Sequence, residues 1–407
     1  MRKWRYLLLL LPLLGCRKPY LPPVKSSANS YLVIEGSINN GSDSTFIKLS
    51  RTVKLSGKTS SMPELNAVLT VEGDQKTSYP LTEKGNGYYA CAGLNLDKTH
   101  KYRLDIKTVN GKEYVSNYES VLNSPPIDSL TFDVNGTPQS GPGLNIYVTT
   151  HDPSNKINYY RWDYQETWIF HSHFSSHYYS TGDTVLPRLS ADKNVTFCWG
   201  NDTSSSIILG SSAKLTQSVI YRNPITSILS TSEKVENKYS VLVRQYALTE
   251  DAFNFYTDMK KNSEQLGNIF DALPSQSNGN LRCLTTPSEP IIGYITVGNR
   301  SSKRIFITSA QWPAWSAVVP QYDGCHLEFD VSTPPPNTKP IPCCYYNWDG
   351  ANQVDEFINF NRTSFSQPFI PIDAIGPPGP IVGYTASTRI CVDCTTRGTN
   401  VPPPFWQ

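Results

Sequence analysis

The stretch KYRLDIKTVNGKEYVS, Lys101 to Ser116, alternates apolar and polar side chains with a period of two. Tyr102, Leu104 and Ile106 fall on one face, and Arg103, Asp105 and Lys107 on the other. An extended strand places residues i and i+2 on the same side, so this pattern calls for a half-buried β-strand. Asn110-Gly111 follows, a strong hairpin signal because both residues tolerate positive φ. YLVIEGSINNGSDSTFIKLS adds two apolar runs around Asn40-Gly41, and AVLTVEG lies between. Residues 31–122 are expected to form an N-terminal β-sandwich of immunoglobulin-like size. Ser124-Pro125-Pro126 marks its boundary.

The same alternation returns in YYRWDYQETWIF. Tyr160, Trp162, Tyr164, Glu166, Trp168 and Phe170 share one face of an extended chain, and Arg161, Asp163, Gln165, Thr167 and Ile169 the other. Such an aromatic face packs a core or lines a groove. With IDSLTFDV, GLNIYVTTHDP, KYSVLVRQYAL and IIGYITV it makes residues 123–310 a second β-domain. One segment breaks the pattern: Thr249 is a plausible N-cap, and Glu250 and Asp251 suit the positive end of a helix dipole. Phe253, Tyr256, Met259 and Lys260 follow at helical spacing, with Leu266, Ile269 and Phe270 beyond, so an amphipathic helix is expected over 249–271. The fold class is therefore all-β: two sandwich-like domains, one inserted helix and a tail.

The tail, 311–407, is rich in Pro, Gly, Trp and Cys and has little periodicity, so cross-links are expected to hold it. Their chemistry depends on the compartment, which the other end of the chain addresses. MRKWRYLLLLLPLLGC has a basic start and an apolar run, Leu7 to Leu14, shorter than the roughly 20 residues a spanning helix needs. Leu13-Leu14-Gly15-Cys16 resembles a bacterial lipobox. Residues 1–15 read as a lipoprotein signal peptide, Cys16 as the lipid attachment point and 16–30 as a tether. Acyl chains bind a membrane with about 0.8 kcal/mol per buried methylene, and more than one chain anchors stably. Arg17 in place of Asp favours the outer membrane under the enterobacterial sorting rule.

Once Cys16 carries lipid, the remaining cysteines are Cys91, Cys198, Cys283, Cys325, Cys343, Cys344, Cys391 and Cys394. An even number in an oxidising envelope favours disulfides. Cys391-x-x-Cys394 lacks the helix start of a redox motif. A zinc site would need a second ligand pair at ribbon spacing, and Cys343 and Cys344 are adjacent. Structural cystine is the expectation, with Cys343 and Cys344 cross-linked to Cys391 and Cys394, although spacing alone leaves the connectivity open.

The formal charge is +2, and Arg2, Lys3 and Arg5 leave with the leader, so no concentrated basic face points to nucleic acid. His171, His173 and His177 in HSHFSSH are candidate metal ligands, since His171 and His173 would point the same way on a strand. Solvated histidines are the plainer reading. Asp349, Asp355 and Glu356 lack the acidic spacing of an EF-hand. Trp312, Trp315, Tyr322 and Trp348 are candidates for an aromatic platform that takes a sugar or a peptide, against the alternative that they pack the tail. No G-x-S-x-G, H-E-x-x-H or P-loop pattern is present, and no cofactor is implied.

YYRWDYQET, FCWGN, the long block YSVLVRQYALTEDAFNFYTDMKKNSEQLGNIFDALPSQSNGN, IIGYITV and CVDCTTRGTNVPPPFW, together with Cys16 in its lipobox, resemble a family of Bacteroidota envelope lipoproteins, domain of unknown function 4249. The resemblance implies a lipoprotein often encoded beside TonB-dependent outer-membrane receptors. It implies no catalytic residue, and no cysteine at positions 91 and 283. The leading expectation is a non-enzymatic accessory of such a receptor, held to the outer membrane by its lipid. A glycan-binding module using exposed aromatics and a hydrolase with dispersed carboxylates are the alternatives.

Overall fold

Alternating segments become strands of two β-sandwiches, and the described residues are all-β apart from one long helix and a few short helical turns. A computed structural model describes residues 30–53, 61–134, 141–181, 184–189, 194–264, 279–327, 369–375 and 383–406. Cys16, the leader and most of the tether lie outside these residues, as do Cys343, Cys344, Trp348, Asp349, Asp355 and Glu356.

In the first sandwich, Leu32–Asn39, Thr45–Arg51 and Tyr88–Cys91 form one sheet. Val68–Gly73, Lys101–Lys107 and Glu113–Ser116 form the other, and Ser78–Gly85 pairs with a strand of each. Tyr102, Leu104 and Ile106 point into the core beside Ile34, Ile47, Leu69 and Tyr89. The Tyr102 hydroxyl accepts a hydrogen bond from the Asp97 amide at 2.9 Å, a back-bond of the kind that fixes corners in immunoglobulin-like sandwiches. The Asn110-Gly111 hairpin forms with only Gly111 at positive φ (78°), after a turn closed from the Gly111 amide to the Thr108 carbonyl. One left-handed glycine after a turn is the longer, bulged hairpin loop rather than the two-residue one.

In the second sandwich, the aromatic strand Tyr159–His171 is central. Lys238–Leu248 flanks one edge, and Phe197–Thr203 and Ile208–Ser211 the other. The facing sheet is Ile127–Asp133, Gly143–His151 and Val219–Leu229. Tyr160, Trp162, Trp168 and Phe170 are core residues, so the aromatic face packs a core. Gly200 stands opposite Trp168, where any Cβ would lie 2.4 Å from the indole. The fully buried Gln245 accepts from Trp162 Nε1 at 2.9 Å and donates to the Thr150 hydroxyl at 3.1 Å on the facing sheet, which ties the two sheets.

The first sandwich is completed by strands from far along the chain. Residues placed in the second domain by the sequence extend the first: Leu281–Cys283 pairs with Glu113–Ser116, and Ile291–Gly293 pairs in parallel with Leu32–Ile34. The strand Thr296–Thr308 continues that parallel register from Ser37 to Asn39, then runs antiparallel to Lys238–Tyr246 of the second sandwich. One strand therefore belongs to both sheets. At the crossing, a Cβ on Gly298 would sit 1.8 Å from the Leu122 carbonyl oxygen, so only glycine fits this close approach.

The helix runs Glu250–Glu264, and the rest of the expected span lies outside the described residues. Thr249 caps it by accepting from the Ala252 amide at 3.2 Å. Ala252 and Phe255 go deepest, against Leu248 and Tyr294, while Phe253, Tyr256 and Met259 flank them.

The described part of the tail is cross-linked, with different partners from those expected. Cys394 bonds Cys198 and Cys391 bonds Cys325. The first bond closes a separation of 196 residues and fastens the tail to the second sandwich. Cys91 and Cys283, where the family resemblance implies no cysteine, are free thiols on strands in opposite sheets of the first sandwich.

Asp105 sits on the polar face but is only 6% exposed. Burial, reinforced by Glu72 and Glu113, pushes its pKa up to about 6. The unfolded chain ionises this group near pH 4 and the folded chain near pH 6, so folding stability falls as pH rises through that window and stays reduced above it. Asp105→Asn is expected to raise stability at pH 7.5 by on the order of 1–3 kcal/mol and to lose that advantage at pH 4, read by denaturant unfolding at both values.

Candidate functional site

The residues singled out by sequence do not converge. The His171 ring bonds Glu236 at 2.9 Å and the Ser172 carbonyl at 2.7 Å, and the Glu236 contact raises its pKa. His173 packs edge-on against Phe174, and His177 pairs with Asp373 at 2.7 Å. Each histidine has its own neighbour, and among the described residues no group of three His, Cys, Asp or Glu side chains has metal-site geometry.

The aromatic platform is likewise dispersed. Trp312 is 8% exposed and stacks on Trp315 at 6.2 Å, and both pack against the second core. Tyr322 donates to the His171 carbonyl at 2.5 Å and accepts from Arg397, whose guanidinium also lies over Phe170. Trp312, Trp315 and Tyr322 thus dock the tail onto the second sandwich, and Trp348 lies outside the described residues.

The polar face of the aromatic strand, by contrast, meets the edge of the first sandwich across a cleft of about 520 Å³. Val33 to Gly36 and Ile292 to Tyr294 form one wall. Arg161, Asp163 and Arg244 rise from the sheet, and Phe255, Tyr256, Met259 and Ser263 of the helix form a second wall. The loop Thr203–Ile207 forms the third. Gly36 and Gly293 have φ of 137° and 149° on the wall, where a Cβ would lie 2.3 Å from a carbonyl of the neighbouring strand.

The loop exists because pairing with the aromatic strand slips between Thr203 and Ile208. Ser204 holds its start, with its hydroxyl accepting from the Tyr164 amide at 3.1 Å and its amide donating to the Tyr164 carbonyl at 2.9 Å. The helix holds its end: Glu264 accepts from the Ile207 amide at 2.6 Å and Lys260 donates to the Ile207 carbonyl at 2.8 Å.

Charge in the cleft is uneven. Arg244 and Asp163, opposite each other in register, pair at 2.6 Å. Arg161 lies over the rings of Tyr246 and Tyr256, at 4.4 and 5.1 Å from their centroids, at cation–π distance. Its Nε is enclosed and has no hydrogen-bond partner among the described residues. Burial works to lower its pKa, but Tyr256, Tyr246 and Asp163 outweigh that and hold it above the ordinary arginine value. Alternation had already put Arg161 and Asp163 on one face. Nothing local could reveal that this face looks onto a strand edge from the other sandwich.

A family profile described as "Domain of unknown function (DUF4249)" matches residues 17–304. No curated protein matches the chain. Among solved structures, the crystal structure of pullulanase complexed with maltotriose from Anoxybacillus sp. LM18-11 aligns at 12% identity over 55% of this chain. This chain spans about a quarter (24%) of that one, and the TM-score of 0.14 is too low to indicate a shared fold.

Glu264→Ala is expected to free the end of the loop without unfolding the sandwiches. Amide exchange at Ile207 should accelerate at least tenfold, the scale of a lost hydrogen bond to a charged group, with the unfolding midpoint little changed. Unaltered exchange at Ile207 would contradict the clamp.

Proposed function

The chain belongs to the domain of unknown function 4249 family, and on that footing we propose that it is an outer-membrane lipoprotein that serves a TonB-dependent receptor as a non-enzymatic, ligand-binding accessory. The observation that carries the binding role is the cleft between the sandwiches. Its volume falls within the 300–1,000 Å³ typical of small-molecule sites, and its walls come from two separately built cores. The lipobox at Cys16 supports the anchor, because an accessory must stay beside its receptor, and acylation confines it to the membrane plane. The cross-links of Cys198 with Cys394 and of Cys325 with Cys391 agree with an oxidising compartment.

Expression of the full chain in a bacterial host that makes TonB-dependent receptors tests this reading. Fractionation of the wild type should recover it in the outer membrane with covalent acyl chains, and mild detergent should co-purify a receptor. Cys16→Ser should move the protein out of the membrane fraction. Cytoplasmic, unacylated wild-type protein would overturn the anchor, and the absence of any receptor from the detergent extract would overturn the partner.

A further inference from the structure

The cleft leaves one charge unanswered. Arg244 is neutralised by Asp163, and Glu35 on the rim pairs with Lys48 at 3.1 Å. Arg161 has no carboxylate at ion-pair distance among the described residues, and its enclosed Nε has no acceptor. Both of its aromatic contacts are to ring faces, which leave the hydrogen-bonding edge of a guanidinium unspent. The rings of Tyr246 and Tyr256 and the nearby Asp163 favour the charge, but an unmade hydrogen bond on a charged donor still costs free energy. A partner that enters the cleft with a negatively charged acceptor answers that donor.

The surroundings specify that partner further. A guanidinium is a planar fork that fits a carboxylate with two parallel hydrogen bonds. Ser205 and Ser206 line the cleft from the exposed loop and offer hydroxyls for a second polar group. Ile34, Phe255, Met259 and Ile292 supply apolar wall on the remaining sides. We propose that the cleft binds a small organic acid, with its carboxylate on Arg161 and an apolar or aromatic body against the helix wall. This rests on the reading of the cleft as the ligand seat and names the class of ligand. A free acid and the C-terminus of a short peptide present the same carboxylate chemistry.

Isothermal titration of the folded protein with 3-phenylpropionate, with N-acetylglycylphenylalanine, and with the neutral amide of each tests the assignment. At least one acid should bind saturably and at least tenfold tighter than its amide. The tighter of the two acids identifies the source as free acid or peptide. Arg161→Gln should abolish the preference for acid over amide, and Arg161→Lys, which keeps the charge but not the fork, should weaken the acid at least tenfold. Circular dichroism checks that each variant is folded, and the lysine variant alone decides the matter where the glutamine variant is not. Equal binding of acid and amide, no saturation by either acid, or an unchanged preference in a folded Arg161 variant overturns the proposal. Ser205→Trp separates this failure from that of the cleft itself. If acid and amide bind equally and Ser205→Trp blocks both, the seat stands and the anion does not. If Ser205→Trp leaves binding untouched, both fall.

Discussion

The strand Thr296–Thr308 is hydrogen-bonded into both sandwiches, and most of what distinguishes this fold follows from that one sharing. Its first residues lie parallel to Ser37–Asn39 and its later ones antiparallel to Lys238–Tyr246, with Leu122–Asn123 paired at the crossing. A backbone ladder has little freedom to hinge, because each paired amide or carbonyl pulled apart in a buried setting must find another partner. The two cores are thereby held at a fixed separation. Gly298, with no room for a Cβ, and Asn299, whose side chain accepts from the Ser124 amide at 2.7 Å, secure the crossing.

The cleft is a consequence of that fixed separation. The outer face of the aromatic strand remains uncovered where the first sandwich arrives at its side, and the helix capped by Thr249 closes a further wall. Local devices then shape it: the slipped register that frees Thr203–Ile207, the Lys260 and Glu264 clamp, and the positive-φ glycines Gly36 and Gly293. A rigid frame matters for binding because ordering walls after a ligand arrives costs affinity. Arg161 sits in this frame with tyrosine rings beside its guanidinium and its enclosed Nε without a hydrogen-bond partner among the described residues, and that unmade bond is the feature on which the proposed anion seat rests.

Elements whose signal is local were legible in the sequence. Period-two alternation located Lys101–Lys107 and Tyr159–His171 and put Tyr160, Trp162, Trp168 and Phe170 on one face, which the structure buries in the second core. Thr249 with Glu250 and Asp251 located the helix start. Features made by distant pairings were not legible. Nothing in YLVIEGSIN announces that it runs parallel to IIGYITVGN more than two hundred residues later, so the late strands that complete the first sandwich could not be assigned to it from sequence. Cys391 and Cys394 read correctly as cystine, but their partners Cys325 and Cys198 are fixed by tail docking, through the Cys394 amide on the Val195 carbonyl and the Phe174 amide on the Cys391 carbonyl. Sequence left Trp312 between a binding platform and tail packing, and the structure places it in the second core. Arg161 and Asp163 were placed on the correct face, while the wall opposite them belongs to the other sandwich.

Native-state hydrogen exchange along Thr296–Thr308 tests the shared strand most directly. Its protected amides should open with one common free energy, and a core truncation in the first sandwich such as Ile47→Ala should lower that energy equally at Val297 and at Ile307. Separate opening energies for the two ends, with Ile47→Ala felt at Val297 and not at Ile307, would show two independent units and contradict the account of the fixed cleft.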